Sequence, residues 1–263
     1  QRTFFGTGPG IVRGGDAEVN LNELFDSILG NKKTRVIVGG GFVSKFQLDE
    51  NPDFNLPENV GAYGGRLNII REGFTFFGEY VKKENDPSAD NSAVVSGQTY
   101  YSYKFGDAAF VSTSYATRGF AVLLQAKRID NMSFRSDRDA TLQNLLINYL
   151  PATTRQHTYL MPAFNPYATQ PRGEVGGMAE IQFRLPKGSL LGGTYGTDVT
   201  LNASSANGLK IHPLADSLAT MHLYSTAWGE TGENYYHDYF IEVVKKFSKK
   251  WKATFMYANQ FYN

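Results

Sequence analysis

The chain has 263 residues, a formal net charge of +1, 19% charged residues, 14% aromatic residues and no cysteine. The missing cysteines exclude a disulfide scaffold and a thiolate zinc site, and the charge balance gives no general attraction to nucleic acid. No apolar run approaches the length of about 18 residues that a transmembrane helix needs, whereas a β-barrel passes this test because its lipid-facing and lumen-facing residues alternate and average to polar.

Gln1-Arg2-Thr3 opens the chain without the basic and apolar regions of a secretory signal. Gly6-Thr7-Gly8-Pro9-Gly10 resembles a phosphate loop but lacks the following Gly-Lys-Ser/Thr and a helical pattern, so nucleotide binding is not expected. From Asp16 onward the pattern has period two, the mark of half-buried strands. Strands are predicted at 16–27 and 33–46 around Gly30-Asn31-Lys32. The next pairs are 62–71 and 74–83 around Arg71-Glu72-Gly73, then 107–117 and 119–129 around Thr117-Arg118-Gly119. Two more follow: 173–185 and 189–202 around Pro186-Lys187-Gly188, and 233–247 and 250–262 around Ser248-Lys249-Lys250. Gly and polar residues at such positions suit tight hairpins.

The remaining connections are long: 47–61, 84–106, 130–172 and 203–232. Short and long connections alternate, as in outer-membrane barrels with short periplasmic turns and long extracellular loops. A soluble β-sandwich with decorated loops is the competing architecture. It gives no reason for all long loops to lie at one end, and long structureless loops are uncommon in compact domains. The predicted fold is therefore an all-β, antiparallel transmembrane β-barrel of outer-membrane type, formed by residues 1–263 as a single, partial domain. Both termini fall on the long-loop side, whereas bacterial barrels begin and end on the periplasmic side, so strands are expected to be missing at each end.

The two parities differ in chemistry. Val175, Ala179, Ile181 and Phe183, with Tyr195, Val199 and Leu201, are expected to face lipid. Glu174, Glu180, Arg184, Asp198 and Glu242 are expected to face the lumen, where opposite charges can pair in a wet interior. Alternation by itself does not separate barrel from sandwich; the loop asymmetry carries more weight. Gly39-Gly40-Gly41, Gly64-Gly65 and Gly192-Gly193 fall inside predicted strands and are read as sites of sheet curvature.

Sites for chemistry are sparse. Among His157, His212, His222 and His237, only His212 and His222 share a loop, with Asp216 as the nearest carboxylate. That spacing is weak for a metal, and polar loop histidines are expected. Asp49-Glu50-Asn51-Pro52-Asp53 and the segment 85–91 are oxygen-rich, but they lack calcium-loop spacing and read as turns. No sequence signal pairs His237 with Ser225, and Glu174 and Glu180 are neighbours within one strand rather than a catalytic carboxylate pair. No catalytic residue, metal or cofactor is expected, and the chain is not read as an enzyme.

The segment 130–172 is the most distinctive. It carries Tyr149, Tyr159, Phe164 and Tyr167, along with Leu145, Leu146, Ile147, Leu150 and Met161 and several prolines. Leaving such side chains wet forgoes about 1.5–3 kcal/mol for each large one that could be buried. It is expected to be an ordered, plug-like insertion that packs inward or onto a partner, with Arg128, Arg135 and Arg138 pairing with wall carboxylates such as Glu174 and Glu180.

Several stretches in order along the chain carry a family resemblance. They are Val12-Arg13-Gly14-Gly15-Asp16, the run 119–128, Asn131-Met132-Ser133-Phe134-Arg135-Ser136-Asp137-Arg138, Asn148-Tyr149-Leu150-Pro151-Ala152, Gln156-His157-Thr158-Tyr159, and Asn165-Pro166-Tyr167 followed by Gly173-Glu174-Val175-Gly176-Gly177. The chain resembles a family of uncharacterised outer-membrane proteins from Bacteroidota, whose members are longer. The resemblance implies a bacterial outer-membrane barrel in contact with lipid and supplies no substrate. Two functions follow as expectations. One is a structural or accessory subunit of an outer-membrane complex, with other outer-membrane proteins as partners; the lineage suggests the type IX secretion system. The other is a pore or transporter for small solutes.

Overall fold

Strands follow one another through the chain and pair with their neighbours in an up-and-down meander. The computed structural model describes residues 10–25, 33–50, 55–87, 92–95, 98–101, 103–138, 140, 144–164, 166–213 and 224–263. The sheet strands are β1 (Ile11–Asn20), β2 (Thr34–Phe46), β3 (Asn59–Arg71), β4 (Phe74–Lys83), β7 (Gly106–Thr117), β8 (Phe120–Asp130), β9 (Gly173–Leu185), β10 (Thr197–Leu209), β13 (Thr231–Lys246) and β14 (Lys252–Tyr262). They form one 10-stranded antiparallel sheet in that order. The short ribbons β5 (Ser92–Val95) with β6 (Gln98–Tyr101), and β11 (His212–Pro213) with β12 (Tyr224–Ser225), stand apart from it. Among the described residues helix is confined to single turns, α1 (Leu21–Leu24) and α2 (Leu160–Ala163). No described helix is long and apolar enough to cross a membrane. Strands β1 and β14 each pair on one side only, so the described residues form an open sheet and not a closed barrel.

Local chemistry sets the turns. Arg71 pairs with Phe74 and Thr117 with Phe120, each across two residues. Gly119 sits at φ 80, a left-handed conformation that costs a residue without Cβ little. A Cβ on Gly73 would lie 2.1 Å from the Ala116 carbonyl oxygen, so this turn needs glycine for space. At the other end of the first hairpin arm, Asn20 accepts a hydrogen bond from the Asn22 backbone N–H at 3.3 Å and stops β1. The predicted turn Gly30-Asn31-Lys32 lies outside the described residues, as do Gly6 to Pro9, Asn51 to Asp53, Asp216 and His222.

Two strands were misplaced by their pattern. The strand predicted at 16–27 is β1 at Ile11–Asn20, and Leu21–Leu24 form the helical turn α1. The alternation Leu191, Gly193, Tyr195 predicts a strand from residue 189, but residues 189–195 are turns and β10 starts at Thr197. Gly193 and Gly196 adopt φ 60 and 86, which no strand allows. Gly192 and Gly193 therefore serve a turn and not strand curvature. Tyr195 leaves the expected lipid-facing set, its ring lying 5.3 Å from Lys246 Nζ. The lost residues reappear at the far end, where β10 runs on to Leu209 and shortens the next connection to 210–230.

Residues directly opposite in an antiparallel pair project to the same side, so the register traces each face across the sheet. One face carries Val38, Leu67, Phe76, Val111, Leu124, Ala179, Leu201, Ile241 and Phe255 in its middle rows. Its charged residues, including Lys82, Asp107, Arg128, Asp130 and Lys245, lie near strand ends. This apolar face is solvent-exposed: Leu124 is 47% and Phe255 59% accessible. The opposite face carries Asp16, Glu18, Lys45, Arg66, Glu79, Lys83, Lys127, Glu174, Glu180, Arg184, Asp198, Asp238 and Glu242.

Gly39 and Gly41 gain a specific role on that charged face. Arg66 on β3 reaches across β2 to Asp16 and Glu18 on β1, with Nη2–Oδ1 at 2.5 Å and Nε–Oε1 at 2.7 Å. A Cβ on Gly39 would sit 2.7 Å from Arg66 Nε, and one on Gly41 would sit 2.8 Å from Asp16 Oδ2. The glycines leave a trough for this transverse ion pair.

Candidate functional site: an insertion across the charged face

Two buried hydrophobic clusters form where residues 131–172 cross the loop-side half of the charged face. The insertion is stapled at its base, where Asn131 and Met132 N–H groups donate to the Arg172 and Pro171 carbonyls at 2.9 and 2.8 Å. It then folds into a small hairpin, with Ile147 N–H donating to Phe134 at 3.0 Å and Ser136 N–H to Leu145 at 3.0 Å. Phe134, 2% exposed, packs on Val60 and Ala62 of β3, with Val43 and Ile147 around it. Burying a ring of this size contributes about 1.5–3 kcal/mol.

Polar contacts fix the hairpin's position. The Gln47 amide donates to Asp137 Oδ1 at 3.1 Å while its oxygen accepts the Arg138 N–H at 2.9 Å. Beneath it, Lys45 Nζ and Asp86 Oδ2 pair at 2.6 Å with both side chains out of solvent. Further along, Lys127 Nζ is held by the Pro151 carbonyl at 2.8 Å, Thr169 Oγ1 at 2.5 Å and Glu174 Oε1 at 2.8 Å. Glu174 also accepts from the Tyr167 hydroxyl at 2.6 Å and the Gln170 N–H at 2.8 Å. Burial and the adjacent Glu174 carboxylate together raise the Tyr167 phenol above its ordinary value.

Between these anchors three side chains spaced two apart meet acids on the wall. Arg155 pairs with Glu180 and stacks over Phe240, its guanidinium carbon 4.3 Å from the ring centre. His157 pairs with Asp238, and the Tyr159 hydroxyl donates to Glu242 Oε2 at 2.6 Å. That bond raises the Tyr159 phenol above the usual tyrosine range. Tyr167 stacks on Tyr236 at 5.1 Å, and Tyr262 closes an aromatic cluster at the sheet's last strands. Gln260 on β14 donates to the Pro162 carbonyl at 3.2 Å.

The expected site residues divide accordingly. Glu174, Glu180 and Glu242 lie on the charged face, and each meets the insertion. Arg184 and Asp198 share that face but pair with each other, Nε–Oδ1 at 2.7 Å, at the exposed turn-side end. Tyr167 is buried against Tyr236, Tyr159 is half-buried with its hydroxyl on Glu242, and Arg135 and Arg138 are buried. Tyr149 and Phe164 do not pack: they are 86% and 77% exposed. Tyr149 follows Asn148, whose amide turns inward to the Met132 carbonyl at 2.7 Å, while the helix ahead of Phe164 touches the sheet through the Pro162 carbonyl.

The expected arginine pairing is also corrected. Arg128 is opposite Val175, on the apolar side, so it cannot face Glu174 and instead pairs with Asp107 and Asp130. Arg138 goes to Asp86 and the Pro57 carbonyl, and Arg135 to Ser133 and the Asn144 carbonyl. The carboxylates are met by Lys127 and Arg155. Sequence reasoning passed over Arg155 and Asp238 and read His157 as a polar loop histidine, whereas it pairs with Asp238. A signal was present: Arg155, His157 and Tyr159 are polar residues spaced two apart. His212 is likewise paired, with Glu230 Oε2 at 2.5 Å, which lowers the Glu230 carboxyl. Among the described residues no group of three or more His, Asp or Glu side chains is placed to hold a metal ion.

These features define an all-β protein made of one antiparallel meander, apolar on one face and carrying an inserted segment over the charged other. The chain belongs to a family of unknown function, DUF6029, whose model matches residues 1–263. The comparison with curated proteins gives no match.

Proposed function

We propose that this chain forms part of a bacterial outer-membrane β-barrel whose lumen is occluded by residues 131–172, and that it serves as a structural or accessory subunit of an outer-membrane complex. The observation that carries this reading is the division of the sheet into a continuous apolar face left bare and a charged face whose loop-side half is covered by the chain's own insertion. Bare apolar surface of this extent is costly in water and favourable against lipid. Charges on the inner side of a barrel are tolerated because they pair in a polar interior. An insertion tied to the wall by Arg155, His157, Tyr159 and Tyr167 leaves little room for solute passage, which favours the subunit role over transport. Tyr149 and Phe164, exposed on the insertion, offer apolar contacts to a partner protein; assemblies of the type IX secretion machinery are the first to test.

Planar-bilayer conductance of the full-length protein tests this reading. The expected result is near-baseline conductance for the unaltered protein and discrete openings for the double variant Arg155→Ala/His157→Ala. A large steady conductance that is the same in both would favour the pore. Failure of the refolded protein to float with phospholipid vesicles would remove the barrel itself.

A further inference from the structure

We propose that a groove at the loop-side end of β4, β7 and β8, on the apolar face, binds the phosphorylated headgroup of a membrane lipid. The inference rests on the barrel reading above and concerns the outer surface of that barrel. The register places Lys82, Asp107 and Asp130 in one row of the apolar face, and Tyr80 and Arg128 in the next. Residues 224–228 of the connection before β13 fold down over this rim. They are fastened there by the Arg128 Nη2 bond to Thr226 at 2.8 Å and by the Tyr224 hydroxyl to Asp130 Oδ1 at 3.1 Å. The groove so formed has a volume of about 400 Å³.

Its lining is amphiphilic in a specific way. Each cation lies over an aromatic ring: Lys82 Nζ is 5.0 Å from the centre of Phe105, Lys104 Nζ 4.3 Å from Tyr224, and the Arg128 guanidinium 4.5 Å from Trp228. The two carboxylates are already engaged. Asp107 accepts from Arg128 at 2.8 Å, while Asp130 takes Lys104, Arg128, Tyr224 and Thr226. Lys82 is exposed and has no carboxylate partner among the described residues, so the cleft presents one uncompensated ammonium. Beside it, Trp228, Phe105 and Tyr80 are 62%, 50% and 47% exposed, although each offers a large apolar surface.

Cations and exposed aromatic rings together, at the end of an apolar strand band, match the interface between headgroup and acyl chain. Soluble phosphate would use the ammonium and leave the rings wet. A lipid uses both, since the sheet below the groove continues apolar through Val111 and Ala126 and gives its acyl chains a path. Lys82 is the phosphate-contacting residue, and Trp228 and Phe105 form the boundary wall.

Native mass spectrometry of the full-length protein in detergent micelles tests the proposal, with a bisphosphorylated glycolipid of the lipid A type as probe. The dephosphorylated glycolipid and inorganic phosphate serve as comparisons. Binding of the phosphorylated lipid is expected to be about fivefold weaker in Lys82→Gln, the effect of one cation near an anionic surface. Trp228→Ala is expected to weaken both lipids, and inorganic phosphate is expected not to compete. Equal binding of the two lipids, an unchanged Lys82→Gln, or displacement by inorganic phosphate would overturn the lipid site. Vesicle flotation of the same preparations separates the two proposals. Protein that floats without headgroup preference overturns only this inference, whereas protein that does not float overturns the barrel and the site together.

Discussion

His157 and Asp238 lie 81 residues apart in the chain, yet they meet with their side chains 2% and 0% exposed. One comes from the insertion and the other from the middle of β13. Between them they fix how far along the charged face the insertion lies, because Arg155 and Tyr159, two residues to either side, then reach Glu180 and Glu242.

Removing the histidine should therefore loosen the insertion and not the sheet. His157→Ala takes from the buried Asp238 carboxylate its His157 bond and leaves only the longer contacts from Tyr236 and Gln260, a change that costs about 1–3 kcal/mol. Limited proteolysis is expected to cut within residues 150–168 at least tenfold faster, while far-UV circular dichroism keeps its β signature. Cleavage at the unaltered rate would show that the pair does not hold the insertion.

The faces make opposite demands on a new charge. Leu124 projects from the apolar face and Gln125 from the charged one. Leu124→Arg is expected to destabilise the protein folded in phospholipid vesicles by about 2–4 kcal/mol, the cost of Arg at the mid-depth of a lipid-facing wall, and Gln125→Arg by far less. Were the face bathed in water, an exposed Leu124 would tolerate the same change within about 0.5 kcal/mol. Urea titrations of the two variants in vesicles distinguish these outcomes.

Gly39 is predicted to resist enlargement. Its absent side chain makes room for Arg66, whose Nε would stand 2.7 Å from a Cβ there. Gly39→Val should displace the guanidinium from Asp16 and Glu18 and cost about 1–3 kcal/mol, typical of overpacking. Gly65→Val, on the other face where a Cβ meets nothing within 4 Å, should cost clearly less. Equal denaturation midpoints for the two variants would count against the trough.

Alkaline pH should release the insertion at Tyr167. Burial and the Glu174 carboxylate raise the folded-state value of this phenol, so the folded protein binds its proton more tightly than the unfolded chain. The resulting stability is fully present below the ordinary tyrosine value near 10 and is lost as pH rises above it. Hydrogen exchange of residues 150–168 is expected to accelerate above about pH 10, with a shallower dependence in Tyr167→Phe. An identical pH profile for both would refute the assignment.

Much of the sheet was legible because its signals are local. Period-two alternation located strands such as Gly173–Leu185 and Lys252–Tyr262, and the Glu72-Gly73 and Arg118-Gly119 turns carry their own backbone chemistry. The error at residues 189–196 came from the same source, since Leu191, Gly193 and Tyr195 alternate correctly while Gly193 and Gly196 take turn conformations. Alternation reports side-chain parity and is blind to backbone φ.

The sequence by itself determined the antiparallel strand order and which carboxylates share a face, because parity within a strand is a property of consecutive residues. It also marked 130–172 as a segment too apolar to stay wholly wet. Only the tertiary structure decided the partners. Arg128 fell to the apolar rim by parity with Val175, Lys127 and Arg155 took the carboxylates assigned to other cations, and His157 found Asp238. Such choices depend on where a long insertion lands on the wall. That position follows from register and packing summed over distant strands, which no local spacing encodes.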